Sequence, residues 1–176
     1  MRCIKIITDS DLGLEEIPFD RPGIRKGARG IVINHEGHIA LLNKAVKHEY
    51  KLPGGGLEDG EDPRAAFIRE VMEETGCEAE ITNELGTIEE HKSQGNFKQI
   101  SYLFVGKVRK NTNRLHLTSK EKDEGAMLIW ADEKEALRLI TDCYEKLAPS
   151  QYEDVYFSKF IVLRDKEILQ YYLRHK

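Results

Sequence analysis

The stretch that most constrains this chain is residues 55–77, where a glycine run gives way to a short, sharply bounded helix with acids along one side. Pro53 restricts the residue before it, and Gly54, Gly55 and Gly56 make a regular helix costly to order. Residues 51–56 are therefore expected to form a loop that lets a ligand approach the main chain. Asp62 is placed to cap a helix, Pro63 sits where its missing N–H costs nothing, and Gly76 suits the C-terminal stop. These signals predict a helix over residues 63–75. At roughly 100° per residue, Glu70 falls in the centre of one face with Glu73 and Glu74 on either side. Ala65, Ile68, Val71 and Met72 form an opposing apolar arc that would anchor the helix on a sheet and fix where the acids point.

Carboxylates spaced i, i+3 and i+4 repel one another along a helix. A hard divalent cation reverses that penalty. Mg²⁺ suits such a site, because it prefers oxygen ligands and is commonly shared between carboxylates and substrate phosphates, with Mn²⁺ as a substitute. A lone Glu-x-x-Glu-Glu is usually a solvated helix face, but here the pattern is longer. The set Gly55, Glu61, Arg69, Glu70, Val71, Glu73, Glu74 and Gly76 has a chance probability on the order of 10⁻⁹ per starting position at average residue usage.

This stretch resembles the Nudix box, Gly-x5-Glu-x7-Arg-Glu-U-x-Glu-Glu-x-Gly-U with U aliphatic, at every position but the last, which is Cys77. The resemblance extends less specifically to Leu52-Pro53-Gly54, the hairpin before it and the Trp130-Ala131-Asp132 junction. It implies that Glu70, Glu73 and Glu74 bind Mg²⁺, that the Gly55 carbonyl joins them, and that Arg69 with Glu61 braces loop and helix at the catalytic centre. The implied reaction is hydrolysis of a nucleoside diphosphate linked to another group, with bound Mg²⁺ neutralising phosphate charge and activating water. The proton-accepting base varies in such enzymes; Glu70 is the first candidate here and Glu124 the second. A nucleotide-sensing module without turnover is the alternative, although such proteins often lose box acids or add a DNA-binding domain. Isopentenyl-diphosphate isomerase chemistry is set aside because no cysteine lies near the hairpin or loop.

The rest of the chain reads as support. A strand is expected over residues 3–7, a surface loop over 9–23, a hairpin from 30–33 and 39–42 around Asn34-His35-Glu36-Gly37, and a longer pair from 78–92 and 97–107 around Ser93-Gln94-Gly95-Asn96. Ile100, Tyr102 and Phe104 share one strand face. Residues 127–130 return to strand, Asp132 and Glu135 form a capping box for a helix through Ile140, and Ser150 and Glu153 repeat that signal. The tail, about 150–175, is expected to be helical with an interruption near Arg164 and Asp165. The fold class is α/β (α+β), an α/β/α sandwich with a mixed sheet and helices on both faces, in one domain over 1–176.

Composition excludes some roles. With 27 Lys+Arg against 31 Asp+Glu and a formal charge of −4, the chain lacks the basic excess that nucleic-acid backbones demand, and no nucleic-acid partner is expected. Cys3, Cys77 and Cys143 form neither a disulfide framework nor a zinc motif and read as reduced thiols. Neither a signal peptide nor a membrane span is visible, so a cytoplasmic protein without a membrane partner is expected, as monomer or homodimer.

Substrate choice is weakly marked. Arg25 and Arg29 precede the first hairpin strand and could reach a phosphate, and His48 and Tyr50 precede the glycines; Arg25, Arg29 and Tyr50 are the substrate-binding candidates. Phe97 and Tyr102 could stack a base, although strand aromatics more often belong to the core, and His91 reads as packing. Subgroup markers for ADP-ribose, dinucleoside polyphosphate and NADH substrates are absent from the sequence. A small nucleotide, such as a nucleoside triphosphate, is the expected substrate.

Overall fold

The computed structural model describes residues 1–47, 49–112, 114–123, 125–147, 149 and 154–176. The elements are β1 (Cys3–Thr8), β2 (Gly23–Ile33), β3 (Ile39–Lys44), β4 (Glu49–Lys51), β5 (Gly54–Gly56), α1 (Pro63–Thr75), β6 (Cys77–Lys92), β7 (Phe97–Asn111), α2 (Ser119–Asp123), β8 (Ala126–Ala131), α3 (Glu133–Lys146) and α4 (Val155–His175). The eight strands form one sheet in the order β1-β6-β7-β2-β3-β4, with β5 on β2 and β8 on β3. Two pairings, β1 with β6 and β2 with β7, are parallel, and the rest are antiparallel. The sheet is mixed, as expected.

Alternation along the strands divides the core into two layers. On one side Ala28, Val32, Phe104 and Val108 pack against Ala66, Phe67 and Val71 of α1, with the Phe67 and Phe104 rings stacked at 5.3 Å. On the other, Ile31, Leu103, Val105 and Ile88 meet Ile140 and Cys143 of α3 and Phe160, Ile168 and Leu169 of α4. Helices therefore cover both faces. Cys77 is buried beside α1, which suits its place at the aliphatic box position. The three cysteines are free thiols.

Local chemistry explains most boundaries. Asn34 Oδ1 accepts from the backbone of Glu36 and His38 and closes the β2–β3 turn. Asp62 accepts from the N–H groups of Arg64 and Ala65, and Gly76, at φ 66°, ends α1, so the helix spans the expected residues. Asp132 caps α3 through the Glu135 N–H, and that helix runs on past Ile140 to Lys146.

Four expectations are corrected. Of residues 51–56 only Leu52 and Pro53 are loop: Lys51 ends β4, and the three glycines form β5, paired with Gly27, Ala28 and Arg29 of β2. That contact requires bare backbone, since a Cβ on Gly27 would lie 2.6 Å from the Gly55 carbonyl oxygen. Strand β2 starts at Gly23, well before its apolar run, because β7 and β5 supply ladder partners that its basic, glycine-containing first half does not advertise. Ala65 is exposed, and the buried face of α1 is instead Ala66, Phe67, Val71, Glu74 and Thr75. Helix α4 is unbroken at Arg164 and Asp165, which are 3% and 0% exposed and face inward as an ion pair, Nε to Oδ1 2.8 Å. Among the other calls, the capping signal at Ser150 and Glu153, with His48 and Glu124, lies outside the described residues.

Candidate active site

Helix α1, strand β5 and the first half of β2 open onto one cavity of about 570 Å³, within the usual range for a small-molecule site. Glu70, Glu73 and Glu74 enter it from α1, the backbone of Gly54, Gly55 and Gly56 from β5, and Arg25 and Arg29 from β2. The sequence candidates thus converge, with two exceptions. Tyr50 packs against the α3–α4 side of the core, its N–H directed at the Cys143 sulfur, and is not among the described residues that line the cavity. Glu124 falls outside the described residues.

The three glutamates differ in environment. Glu74 is 2% exposed, with Oε2 accepting from the Gly54 N–H at 2.7 Å and Oε1 from Lys51 Nζ at 2.8 Å. Burial raises its pKa above the ordinary carboxylate value, and Lys51 and the Gly54 amide oppose that shift. Glu70 accepts from Arg69 Nη1 at 2.8 Å through Oε1. Its carboxylate lies against Gly55, where a Cβ would fall 2.3 Å from Oε1, so only glycine admits this acid so close to the main chain. Glu73 is the most solvated of the three and stands 3.7 Å from Arg69.

Arg69 ties these parts together. Its Nε and Nη2 hold both oxygens of Glu61 at 2.9 and 2.8 Å, Nη2 also reaches the Gly56 carbonyl at 3.1 Å, and Nη1 serves Glu70. A planar guanidinium can make such a bidentate grip where an ammonium cannot. The paired hydrogen bonds from Arg69 hold the Glu61 carboxyl down to about 2 and raise the Arg69 guanidinium above its ordinary value.

The opposite wall is cationic. Arg29 is 7% exposed and donates one side-chain hydrogen bond, to Ser101 at 3.3 Å; it forms no ion pair among the described residues. Burial pushes its guanidinium down to about 10, so it remains charged at neutral pH. Arg25 is exposed, without a hydrogen bond or ion pair among the described residues, and its guanidinium reaches over Gly56. A buried guanidinium that makes no direct ion pair among the described residues, with Asp165, Glu90 and Glu74 acting on it at longer range, faces the cavity as an anion-binding group.

Sequence reading missed several lining residues. Lys92 and Gln99, 5% and 6% exposed, and Phe157, Ile161 and Arg164 of α4 also face the cavity. The signals that could have found them are the alternation of β7, which puts Gln99 on the face opposite Ile100, and the i, i+4, i+7 spacing of Phe157, Ile161 and Arg164 along α4. Nothing local connected the two. Of the aromatic candidates, Phe97 lines the cavity, whereas Tyr102 packs on the α1 side of the sheet.

The donor set is made of hard oxygens, as a magnesium-type cation prefers. Among the described residues, no three acidic, histidine or cysteine side chains already converge on a metal position. Glu74 and Glu70 are instead neutralised by Lys51 and Arg69.

An α/β/α sandwich with an acidic helix facing a cationic wall is a fold and site suited to binding phosphates beside a divalent cation. Residues 23–173 match the family described as NUDIX domain, and the chain belongs to the Nudix family. It is 34% identical over 77 residues to an RNA pyrophosphohydrolase of Bartonella quintana, covering 39% of this chain and 42% of that one. It is 32% identical over 161 residues to a methanol dehydrogenase activator of Bacillus methanolicus, covering 82% and 79%. The chain spans about half the length, 42% to 53%, of several curated relatives it matches. A NUDIX hydrolase from Nitrosomonas europaea superposes with a TM-score of 0.61 at 16% identity, covering 86% of this chain and 90% of that one, and shares the fold. No helix among the described residues is long and apolar enough to cross a membrane.

Proposed function

We propose that this protein is a Mg²⁺-dependent pyrophosphohydrolase that cleaves the phosphoanhydride bond of a small nucleotide derivative in the cytoplasm. The observation that carries this reading is the meeting of Glu70, Glu73 and Glu74 with Arg25, Arg29 and the β5 backbone around one cavity. Family membership supports it, as do the printed names of relatives, which include a putative 8-oxo-dGTP diphosphatase of Bacillus subtilis.

Glu70, Glu73, Glu74 and the Gly55 carbonyl would hold the cation, which when bound neutralises phosphate charge and lowers the pKa of a bound water. Lys51 and Arg69 keep the acids neutralised until then. Arg29 and Arg25 bind the phosphates, the first as a fixed buried charge and the second as a mobile clamp over Gly56. Glu70 takes the proton of the attacking water on Oε2, since Oε1 is held by Arg69. Glu124 is the alternative base, and the larger loss of turnover between Glu70→Gln and Glu124→Gln, at preserved metal affinity, identifies which acts.

The test is phosphate or nucleotide release from a panel of nucleoside triphosphates, oxidised dNTPs, ADP-ribose, dinucleoside polyphosphates, nucleotide sugars and a 5′-triphosphate RNA, with and without Mg²⁺. At least one small nucleotide is cleaved, and only with the metal. Tight nucleotide binding without cleavage of any panel member would instead make the protein a sensing module.

A further inference from the structure

We infer that the part of the sheet's α1 side that α1 leaves uncovered is the interface of a two-fold homodimer, with a second copy of this chain as its occupant. The inference stands apart from the hydrolase reading, since it uses no residue of the cavity.

Alternation assigns the face. Ile7, Ile88 and Leu103 belong to the core beneath α3 and α4, so Ile6, Glu89 and Ile100, each an odd number of residues away, turn to the α1 side. Ala28 packs under α1, and Ile24 and Lys26 share its face. The register sets Ile6, Glu89, Ile100 and Lys26 in one row across four strands, with Lys98 and Ile24 in the next. The cover supplied by α1 stops short of both rows, at Tyr102 and Ala28, and Ile6, Ile24 and Ile100 belong to neither core. Ile24 is 64% exposed and Ile6 47%. Phe19 laps the border of the patch, its ring 6.1 Å from that of His91 and 4.7 Å from Lys98 Nζ.

One solvated face is ordinary for an antiparallel sheet. Here, however, β1 with β6 and β2 with β7 are parallel pairs, and parallel pairing occurs chiefly in sheets covered on both faces. Isoleucines grouped on such strands, outside either core, form a face that needs cover.

Charge selects the occupant. Glu89 on β6, with Glu16 beside the Thr8 hydroxyl of β1, makes one half of the patch acidic; Lys98 on β7 and Lys26 on β2 make the other half basic. Neither lysine forms an ion pair among the described residues, and Glu89 pairs there only with His91. A two-fold axis parallel to the strands, between β6 and β7, sets the acidic half of each copy against the basic half of the other. The patch thus complements itself, as an isologous dimer requires, whereas a two-fold across the strands would oppose like charges. The two sheets then run aligned about 10 Å apart, a common packing of sheet on sheet. The patch is small for an interface, so the dimer should be reversible at micromolar concentration.

Sedimentation equilibrium of the full chain, from about 1 to 200 µM, reads the association. The chain should approach dimer mass across that range. Ile24→Lys, at a side chain mostly in solvent, should raise the dissociation constant about tenfold or more with circular dichroism unchanged. Lys26→Glu/Lys98→Glu makes both halves acidic and Glu16→Lys/Glu89→Lys makes both basic; each alone should be monomeric, and their equimolar mixture should recover dimer mass. A wild-type chain that stays monomeric throughout, or a dimer that Ile24→Lys leaves intact, overturns the interface. A mixture that remains monomeric overturns the two-fold pairing, and the Ile24→Lys result still decides the face where a charge variant fails to fold.

Discussion

The Leu52 backbone N–H donates to the Asp165 carboxylate at 2.8 Å, tying the connection between β4 and the glycines to the middle of α4 across 113 residues of sequence. Asp165 is fully buried, and its other oxygen accepts from Arg164 Nε at 2.8 Å. Arg164 continues to Glu90 on β6 at 3.1 Å, so one buried chain of charges links helix, sheet and the approach to the site. Burial alone would push the Arg164 guanidinium down, but Asp165 and Glu90 carry it above its ordinary value.

Replacing Asp165 with alanine leaves a buried guanidinium short of its partner and a buried N–H without an acceptor. We expect a loss of about 3–5 kcal/mol of stability, read as a lower urea midpoint at unchanged m-value. A loss below about 1 kcal/mol would mean that the ion pair is not the anchor of this region.

Gly55 separates local geometry from stability. The atoms an alanine methyl would meet belong to the carboxylate end of the flexible Glu70 side chain, which can swing aside at the cost of its Arg69 contact. Gly55→Ala should therefore keep its melting temperature within a few degrees while turnover falls by about 100-fold, the scale of a roughly 1 Å misplacement at a reacting centre. Thermal melts and initial rates on one preparation check both halves.

Arg25 is exposed and without a partner among the described residues, so removing it should cost little structure. Arg25→Ala should change stability by no more than about 0.5 kcal/mol. It should weaken substrate binding roughly tenfold or more, as expected for a lost charge-assisted hydrogen bond. KM and an unfolding curve measure the two effects.

Acid should act through Glu61. Its folded pKa of about 2 lies below the ordinary 4.5 because Arg69 stabilises the ionised form. The folded state therefore favours the charged carboxylate, and this contribution is complete above about 4.5 and disappears as pH falls toward about 2. Glu61→Gln should flatten the stability profile across that window and leave its shape above pH 5 unchanged. Denaturant midpoints collected from pH 2 to 7 test it.

What could be read ahead was whatever depends on local sequence. The boundaries of α1 follow from Asp62, Pro63 and Gly76, and its acids from their helical spacing; both are present in the structure. The strand character of Gly54, Gly55 and Gly56 was illegible, because it arises from β2, a partner some 27 residues away in register, as Gly27 with Gly56 and Arg29 with Gly54 show. Arg164 and Asp165 looked like a break in α4 because two adjacent charges ordinarily mark a solvated turn, and only Glu90 and Leu52 make them suitable for burial. Tyr50 looked available for substrate by its nearness to the glycines, whereas strand alternation turns it toward the α3–α4 core.

The most direct test of the central claim is the steady-state rate of Glu74→Gln beside the wild type, in saturating Mg²⁺ on the best substrate of the panel. The substitution keeps the shape of the side chain and an oxygen for the Gly54 N–H while removing the negative charge. A fall of about 1,000-fold or more, with circular dichroism and melting behaviour retained, is the predicted result, the size of effect that charge stabilisation at a reacting phosphate supports. Turnover persisting within about tenfold of wild type in a folded Glu74→Gln protein would contradict the assignment of the α1 glutamates as the metal-holding centre.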